Sequence, residues 1–142
     1  MHSRLAAIIL AILLMLASCS TDPLVARIED NPMATPTLSF AEASSSETSQ
    51  STEGNGDPNL TFTRTLAQTS FFPIEAGLVD QGRDELLEQA RNAGFEMMQD
   101  ENGITDESGN RDEFWTGMGA EGFTLFLTVT DDGLTVSLFL DG

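Results

Sequence analysis

The chain of 142 residues contains no lysine and no tyrosine, and its six basic residues are all arginines. They are outnumbered by 23 aspartates and glutamates, which gives a formal net charge of −17 at pH 7. Nucleic acid binding requires clustered cations against the phosphates, and anionic lipids are held by polybasic segments. The composition therefore argues against both kinds of electrostatic partner and indicates a solvated, acidic surface.

Cysteine is almost as scarce: Cys19 is the only one, and two small residues separate it from an apolar run. The twelve residues of that run, 5–16, carry no charged or polar side chain and come after a short positive region at Arg4. As a helix they would span only about 18 Å, against a hydrocarbon core of about 30 Å. The pattern is typical of the hydrophobic region of a secretory signal peptide rather than of a stable transmembrane helix.

Four residues that end at the cysteine follow the order Leu, small, small, Cys: Leu16, Ala17, Ser18 and Cys19. This stretch resembles the lipobox of bacterial lipoproteins, and the resemblance covers residues 1–19 only. It implies a signal peptide over residues 1–18, cleavage before the cysteine and a diacylglyceryl group on its sulfur. Two or more acyl chains anchor a protein stably, so we expect a lipid-anchored protein on the cell membrane or outer membrane, facing outside the cytoplasm. An ordinary secretory signal or an uncleaved anchor helix are the alternatives.

From Ser20 to about Asn59 the chain is rich in Ser, Thr, Glu and Pro and has no sustained period of 2 or 3.6. A segment with so few large apolar residues cannot bury enough surface to offset the entropy lost on ordering. The pattern predicts a lipidated cysteine followed by a disordered linker over residues 19–59. About 40 flexible residues have an end-to-end distance of about 35 Å, so we expect the linker to lift the domain off the membrane.

Residues 60–142 are predicted to form a small extracytoplasmic domain. Apolar side chains on one face indicate a helix from Asp80 to Ala93, and Gly94 is a natural left-handed stop. Strands are predicted at "FEMMQ", "DEFWTGMG", "FTLFLTVT" and "LTVSLFL". The expected fold class is α+β, with one helix packed on a roughly four-stranded antiparallel meander. The stretch "LTFTRTL" is a weaker candidate for an added edge strand.

The last two strands are predicted to form a hairpin around Asp132-Gly133, with positive φ at Gly133. That loop would pair Leu127 with Leu138 and Phe126 with Phe139. One face would then be aliphatic and should pack against the helix, whereas the other would carry Thr and Ser with one aromatic pair. A slip of one residue would mix the two faces, so we expect the faces to be well specified.

Cleavage of the signal peptide would also remove His2, the only histidine. The rest of the chain would lack His, Lys, Tyr and a free Cys, so a serine nucleophile would have no common base except a carboxylate. Carboxylate pairs can hydrolyse glycosides, but they need a cleft that a small domain with one thin core rarely builds. We therefore expect no enzymatic activity and no cofactor.

The loop "DENGITDESGNRDE" is the one candidate for a metal site, and it is a weak one. It contains six carboxylates: Asp100, Glu101, Asp106, Glu107, Asp112 and Glu113. Oxygen-rich loops suit calcium, but the EF-hand spacing fails, because the glycine falls at the fourth place when counted from the first aspartate. A solvated hairpin loop is the main interpretation, and weak calcium binding is the alternative.

Trp115, the only tryptophan, stands beside Phe114 on a predicted strand, so the two side chains point to opposite faces. One should belong to the core and the other should join Phe126 and Phe139 on the outer face. Sheet packing or cover by the "SFFPI" segment is one explanation of these aromatic residues, and an exposed patch for a partner is the other. In that case Trp115, Phe126 and Phe139 are the candidate contacts.

Taken together, these features predict a lipid-anchored lipoprotein of the cell envelope. Its small, non-catalytic domain would bind a protein partner, with the membrane reached through the lipid on Cys19. The alternative is a ligand-binding lipoprotein, which would hold weak calcium in the acidic loop or a small molecule or glycan on the outer sheet face.

Overall fold

A computed structural model gives the structure of the protein and describes residues 23–54, 59, 61–100 and 107–141. Its elements are α1 (Pro23–Glu29), β1 (Ser45–Gly54), β2 (Thr61–Phe71), α2 (Val79–Asn92), β3 (Glu96–Gln99), β4 (Asp112–Met118), β5 (Phe123–Thr130) and β6 (Leu134–Asp141). Short 3₁₀ turns lie at Pro32–Ala34, Ala76–Leu78 and Ala120–Gly122. The predicted signal peptide and Cys19 lie outside the described residues.

All six strands belong to one antiparallel sheet in the order β1-β2-β6-β5-β4-β3. The predicted α+β class is therefore confirmed, and the meander from β3 to β6 is present. The predicted number of elements is too small: over the described residues the sheet has six strands rather than about four, and there are two helices rather than one. Residues 61–66 of the stretch "LTFTRTL" are part of β2, which lies inside the sheet between β1 and β6 rather than at its edge.

Helix α2 forms within one residue of its predicted limits and buries the predicted apolar face. Its buried residues are Val79, Gly82, Leu86, Leu87 and Ala90. Gly94 follows with φ +91°, as expected for a left-handed helix stop. The backbone N–H of Phe95 then donates to the carbonyl of Ala90 (3.0 Å), and the Phe95 side chain is buried in the core.

The β5–β6 hairpin has the predicted faces but a different register. Leu127 pairs with Val136 rather than with Leu138, so every pair is displaced by two residues. The turn is Asp131-Asp132, and the N–H of Thr130 donates to the carbonyl of Gly133 (3.0 Å). Because side chains alternate with a period of 2, a displacement of two leaves each of them on its predicted face.

Gly133 is required for a different reason from the one predicted. Its φ lies outside the left-handed region. A Cβ at this position would stand 3.3 Å from the Phe71 carbonyl oxygen, the Phe72 ring and Thr130 Oγ1. The chain after β2 also donates from the N–H of Ile74 to the carbonyl of Asp132 (2.7 Å). The predicted position of the turn, Asp132-Gly133, is wrong. Turn preferences depend only on residues close in sequence, whereas this turn also packs against the end of β2.

The prediction of a disordered linker is wrong for the part of residues 19–59 that the structure describes. Ile28, Met33, Ala34 and Leu38 are buried in the same core as the sheet and α2. Helix α1 and the turn after it contact β2 and β6. The physical reason is the width of the sheet: six strands about 4.8 Å apart span about 24 Å, whereas one helix covers about 10 Å. The N-terminal segment covers the rest of that face.

Strand β1 also falls within the predicted linker, and it is a different case. Every side chain described in it is exposed, and its residues are mostly Ser, Thr, Gln and Glu. All ten residues pair with β2. The strand is therefore held by its backbone hydrogen bonds to β2. Pairing of this kind cannot be predicted from the composition of β1, which lacks large apolar residues.

Candidate functional site

The structure separates the two carboxylates at the end of the acidic loop. Asp112 and Glu113 are neighbours on β4, so their side chains lie on opposite faces of the sheet. Glu101 and Asp106 lie outside the described residues. Over the ranges that the structure describes, no group of three or more potential ligand side chains is close enough to hold a metal ion. The candidate calcium ligands at 112 and 113 therefore do not share a site.

Glu113 is instead the buried centre of a polar cluster at the sheet edge, which we call the Glu113 cluster: Asp80, Asp84, Arg83, Arg111, Glu113, Trp115 and Asp131. The Nε of Arg111 donates to Glu113 Oε2 (3.0 Å), and the Nη2 of the same guanidinium contacts that oxygen too. The Nε1 of Trp115 donates to Glu113 Oε1 (2.7 Å). The Nη1 of Arg83 lies 3.5 Å from the same Oε1. Both oxygens of the buried carboxylate are thus satisfied.

Arg111 links three parts of the fold. Its Nη1 lies 2.7 Å from Oδ1 of Asp80 on α2, and its guanidinium contacts Glu113 on β4. Its backbone N–H donates to Oδ2 of Asp131 (3.2 Å) in the β5–β6 turn. The cluster therefore fastens the helix and the turn to β4, next to the short edge strand β3.

The electrostatics of the Glu113 cluster favour the ionised forms of Glu113 and Asp80. Burial opposes the ionisation of Glu113, but the hydrogen bonds from Arg111 and Trp115, with the charges of Arg111 and Arg83, outweigh it and lower its pKa. The hydrogen bond from Arg111 also lowers the pKa of Asp80. A carboxylate that is ionised, hydrogen-bonded and paired in this way is a weak base, so Glu113 is suited to holding the fold together rather than to taking up a proton.

An open depression of about 530 Å³ lies over the Glu113 cluster. The guanidinium groups of Arg83 and Arg111 both contact carboxylates there, and the cluster holds two arginines against four carboxylates. This balance does not favour an anionic ligand. The sequence did carry a signal for the cluster: Arg111, just before β4, alternates with Glu113 and Trp115 on the strand, and alternate residues of an extended chain point to the same side.

Trp115 lies on the opposite face of the sheet from Phe126 and Phe139, so the three side chains cannot form one contact surface. It faces the helix side, opposite Leu127, and is partly buried against the core. The outer face of β4 carries Phe114 instead, opposite Thr128. The prediction that Trp115 shares a face with Phe126 and Phe139 is therefore wrong, and on β4 it is Phe114 that lies on their face.

The face of the sheet opposite the two helices, which we call the outer face, carries several exposed apolar side chains. Five of the six exposed large apolar side chains in the described ranges lie there: Phe62, Met98, Phe114, Met118 and Phe126. The ring of Phe126 meets that of Phe139 edge to face, with centroids 5.4 Å apart. The two residues were predicted to be directly opposite, but Phe126 faces Ser137, so they are diagonal neighbours that still touch.

Charged residues lie at the ends and edges of the outer face. Arg64 lies over the Phe139 ring, 5.5 Å from its centroid, and its Nε donates to Asp141 Oδ1 (2.8 Å). Glu96 and Asp112 occupy an edge strand and a strand end. The hollow beside Phe126 and Phe139 measures only about 140 Å³, whereas pockets for drug-sized ligands start at about 300 Å³. The outer face is thus a broad surface rather than a small-molecule pocket.

No family model, curated protein or solved structure matches this chain. Within the part of the chain that the structure describes, no helix has the length and apolar character needed to cross a bilayer.

Proposed function

We propose that the protein is a lipid-anchored lipoprotein of the cell envelope whose non-catalytic domain binds a protein partner through the outer face. The anchor part of this proposal is supported by the lipobox at residues 16–19 and by the apolar run before it. The binding part is supported by the outer face itself.

The single observation that carries the binding part is the arrangement of Phe114 and Phe126 at the middle of the outer face. Each is exposed by more than a third, at 37% and 38%. Exposed apolar patches with a polar rim mark interaction sites on soluble domains. The cores of protein–protein interfaces are enriched in aromatic residues, Met and Arg, which are the residue types found here.

A protein partner is favoured over a small ligand by the shape of this surface. The hollow beside Phe139 is too small for a typical ligand, and aromatic side chains spread over several strands suit a broad, shallow contact. In the Glu113 cluster both guanidinium groups already contact carboxylates, so the cluster is a poor site for an anionic ligand. The ligand-binding alternative is therefore less well supported than the interaction domain.

Anchoring is tested by Cys19→Ala with Ser20→Ala as the matched control. Metabolic labelling with a fatty-acid analogue should label the parent and the control but not Cys19→Ala, which should also leave the membrane fraction. Labelling of Cys19→Ala at the level of the parent would refute the anchor.

Binding is tested by placing a photo-reactive phenylalanine analogue at position 126 in cells, with position 88 on the exposed side of α2 as the control. We expect a discrete cross-linked product from position 126 that is absent from position 88. Adding Phe114→Ser should weaken the product, because that side chain shares the outer face, and circular dichroism of the variant checks its fold. Equal products from both positions would contradict a specific site on the outer face.

A further inference from the structure

The folding of the N-terminal segment onto the sheet changes how far the domain can stand from a lipid anchor. Helix α1 begins at Pro23, and only three residues separate it from Cys19. Four residue steps of a fully extended chain reach at most about 14 Å. A disordered linker over residues 19–59 would instead have allowed about 35 Å on average.

Helix α1 cannot serve as extra tether, because it is fixed to the domain. Ile28 on its last turn is fully buried in the core, and Met33 and Ala34 in the following 3₁₀ turn are buried as well. The Nη2 of Arg27 donates to the carbonyl of Glu121 (3.0 Å). Releasing α1 would expose these apolar side chains, so the reach from the lipid is set by the three residues alone.

The same contacts identify the end of the domain that lies nearest to the anchor. The guanidinium of Arg27 also lies 5.7 Å from the centroid of the Phe123 ring, at the start of β5. Pro23 precedes Arg27 by about 6 Å along the helix axis. The opposite end of β5 carries the Asp131-Asp132 turn, about 27 Å away along an eight-residue strand.

We infer that the anchored domain is held directly at the bilayer surface, with the end formed by the 3₁₀ turn Ala120–Gly122 and the start of β5 toward the lipid. This inference rests on the proposed lipid anchor. Repulsion between the acidic domain and anionic lipids can tilt the domain but cannot lengthen its tether. A domain of about 120 residues is about 35 Å across, so its outer face lies within about 50 Å of the bilayer. The partner surface must lie in that layer.

The test compares the two ends of β5 in the lipidated protein. The anchored chain offers no other thiol, so Ala120→Cys and Asp132→Cys can each be labelled with a fluorophore, and both positions are exposed. The protein is reconstituted in vesicles of neutral lipid that contain a headgroup-attached nitroxide quencher. We expect at least about twofold stronger quenching at position 120 than at position 132, because quenching requires close approach to the headgroups.

A variant with a 20-residue Gly/Ser insertion after Ser20 provides the control for tether length. Quenching at position 120 should fall to the level at position 132 in this variant. Equal quenching at the two positions without the insertion would overturn the inference. Flotation of the vesicles separates the two ideas: protein that floats but shows equal quenching contradicts the orientation alone, whereas protein that does not float contradicts the lipid anchor.

Discussion

The side-chain amide of Gln89 on α2 makes two hydrogen bonds with the backbone of Thr37. Its Nε2 donates to the Thr37 carbonyl (2.7 Å), and the Thr37 N–H donates to its Oε1 (3.0 Å). One turn earlier, Glu85 accepts from both the N–H and the Oγ of Ser39 at 2.9 Å. These bonds hold the segment around Leu38 against the helix, so the N-terminal segment is part of the domain rather than a spacer.

The first prediction concerns the limits of the folded unit. The fragment 60–142 lacks core side chains that the N-terminal segment packs on the helix-side face of the sheet, among them Ile28 and Met33. Exposing that much core should cost more than the few kcal/mol that stabilise so small a domain. We expect the fragment to be largely unfolded by circular dichroism, whereas residues 21–142 unfold cooperatively in urea. A cooperative transition of equal midpoint in both would show that the segment does not contribute to the fold.

The second prediction is a loss of stability in acid through Glu113. Its pKa is lowered in the folded protein, mainly because hydrogen bonds from Arg111 and Trp115 outweigh the effect of burial. The stabilisation from Glu113 is fully present above the pKa that this carboxyl has in the unfolded chain. It is lost as the pH falls through the lower pKa of the same carboxyl in the folded protein. Urea unfolding of the parent should therefore weaken from about pH 5 downward.

Glu113→Gln keeps the shape of the side chain but removes this titration, so its stability should be lower at pH 7 and should fall less between pH 5 and pH 3. Glu88→Gln, on the exposed side of α2, is the matched control and should follow the parent. Identical pH profiles for Glu113→Gln and the parent would contradict the lowered pKa.

The third prediction separates the two faces of β5. Leu127 is buried on the helix side, whereas Thr128, its neighbour, lies on the outer face opposite Phe114 and Thr135. Leu127→Ala should cost about 2–5 kcal/mol, the usual range for a buried leucine. Thr128→Ala should change the free energy of unfolding by less than about 1 kcal/mol. Urea denaturation of residues 21–142 measures both, and equal losses would mean that a second layer covers the outer face.

Local patterns predicted the elements with strong periodicity and missed those held by distant contacts. Helix α2, its stop at Gly94 and the two faces of the hairpin follow from alternation and turn residues close together in sequence. Ile28, Met33 and Leu38 are five residues apart, a spacing that fits neither the helical period of 3.6 nor the strand period of 2. Their burial follows from the width of the sheet that α2 leaves uncovered. The residues of the outer face show the same division. The position of Phe126 on this face was predictable from alternation. Whether Phe114 or Trp115 joins it depended on which face of β4 packs against the helices.

The last prediction tests why residue 133 is glycine. A turn at Asp132-Gly133 would need positive φ, and Asn tolerates that conformation better than Ala does. In the structure the constraint is steric, since a Cβ would stand 3.3 Å from the Phe71 carbonyl oxygen and from Thr130 Oγ1. Any side chain would have to displace this packing, so Gly133→Ala and Gly133→Asn should both destabilise the domain, by about 1–3 kcal/mol. Asn should be no better than Ala, because its tolerance of positive φ gives no advantage here.

Gly94 provides the control for this prediction. Its φ is +91°, and a Cβ added there would meet nothing within 4 Å, so the constraint is conformational rather than steric. At this position Asn should therefore be better tolerated than Ala. Urea denaturation of the four variants makes the comparison. A clear advantage of Asn over Ala at residue 133 would restore the turn at Asp132-Gly133 and contradict the observed register of the hairpin.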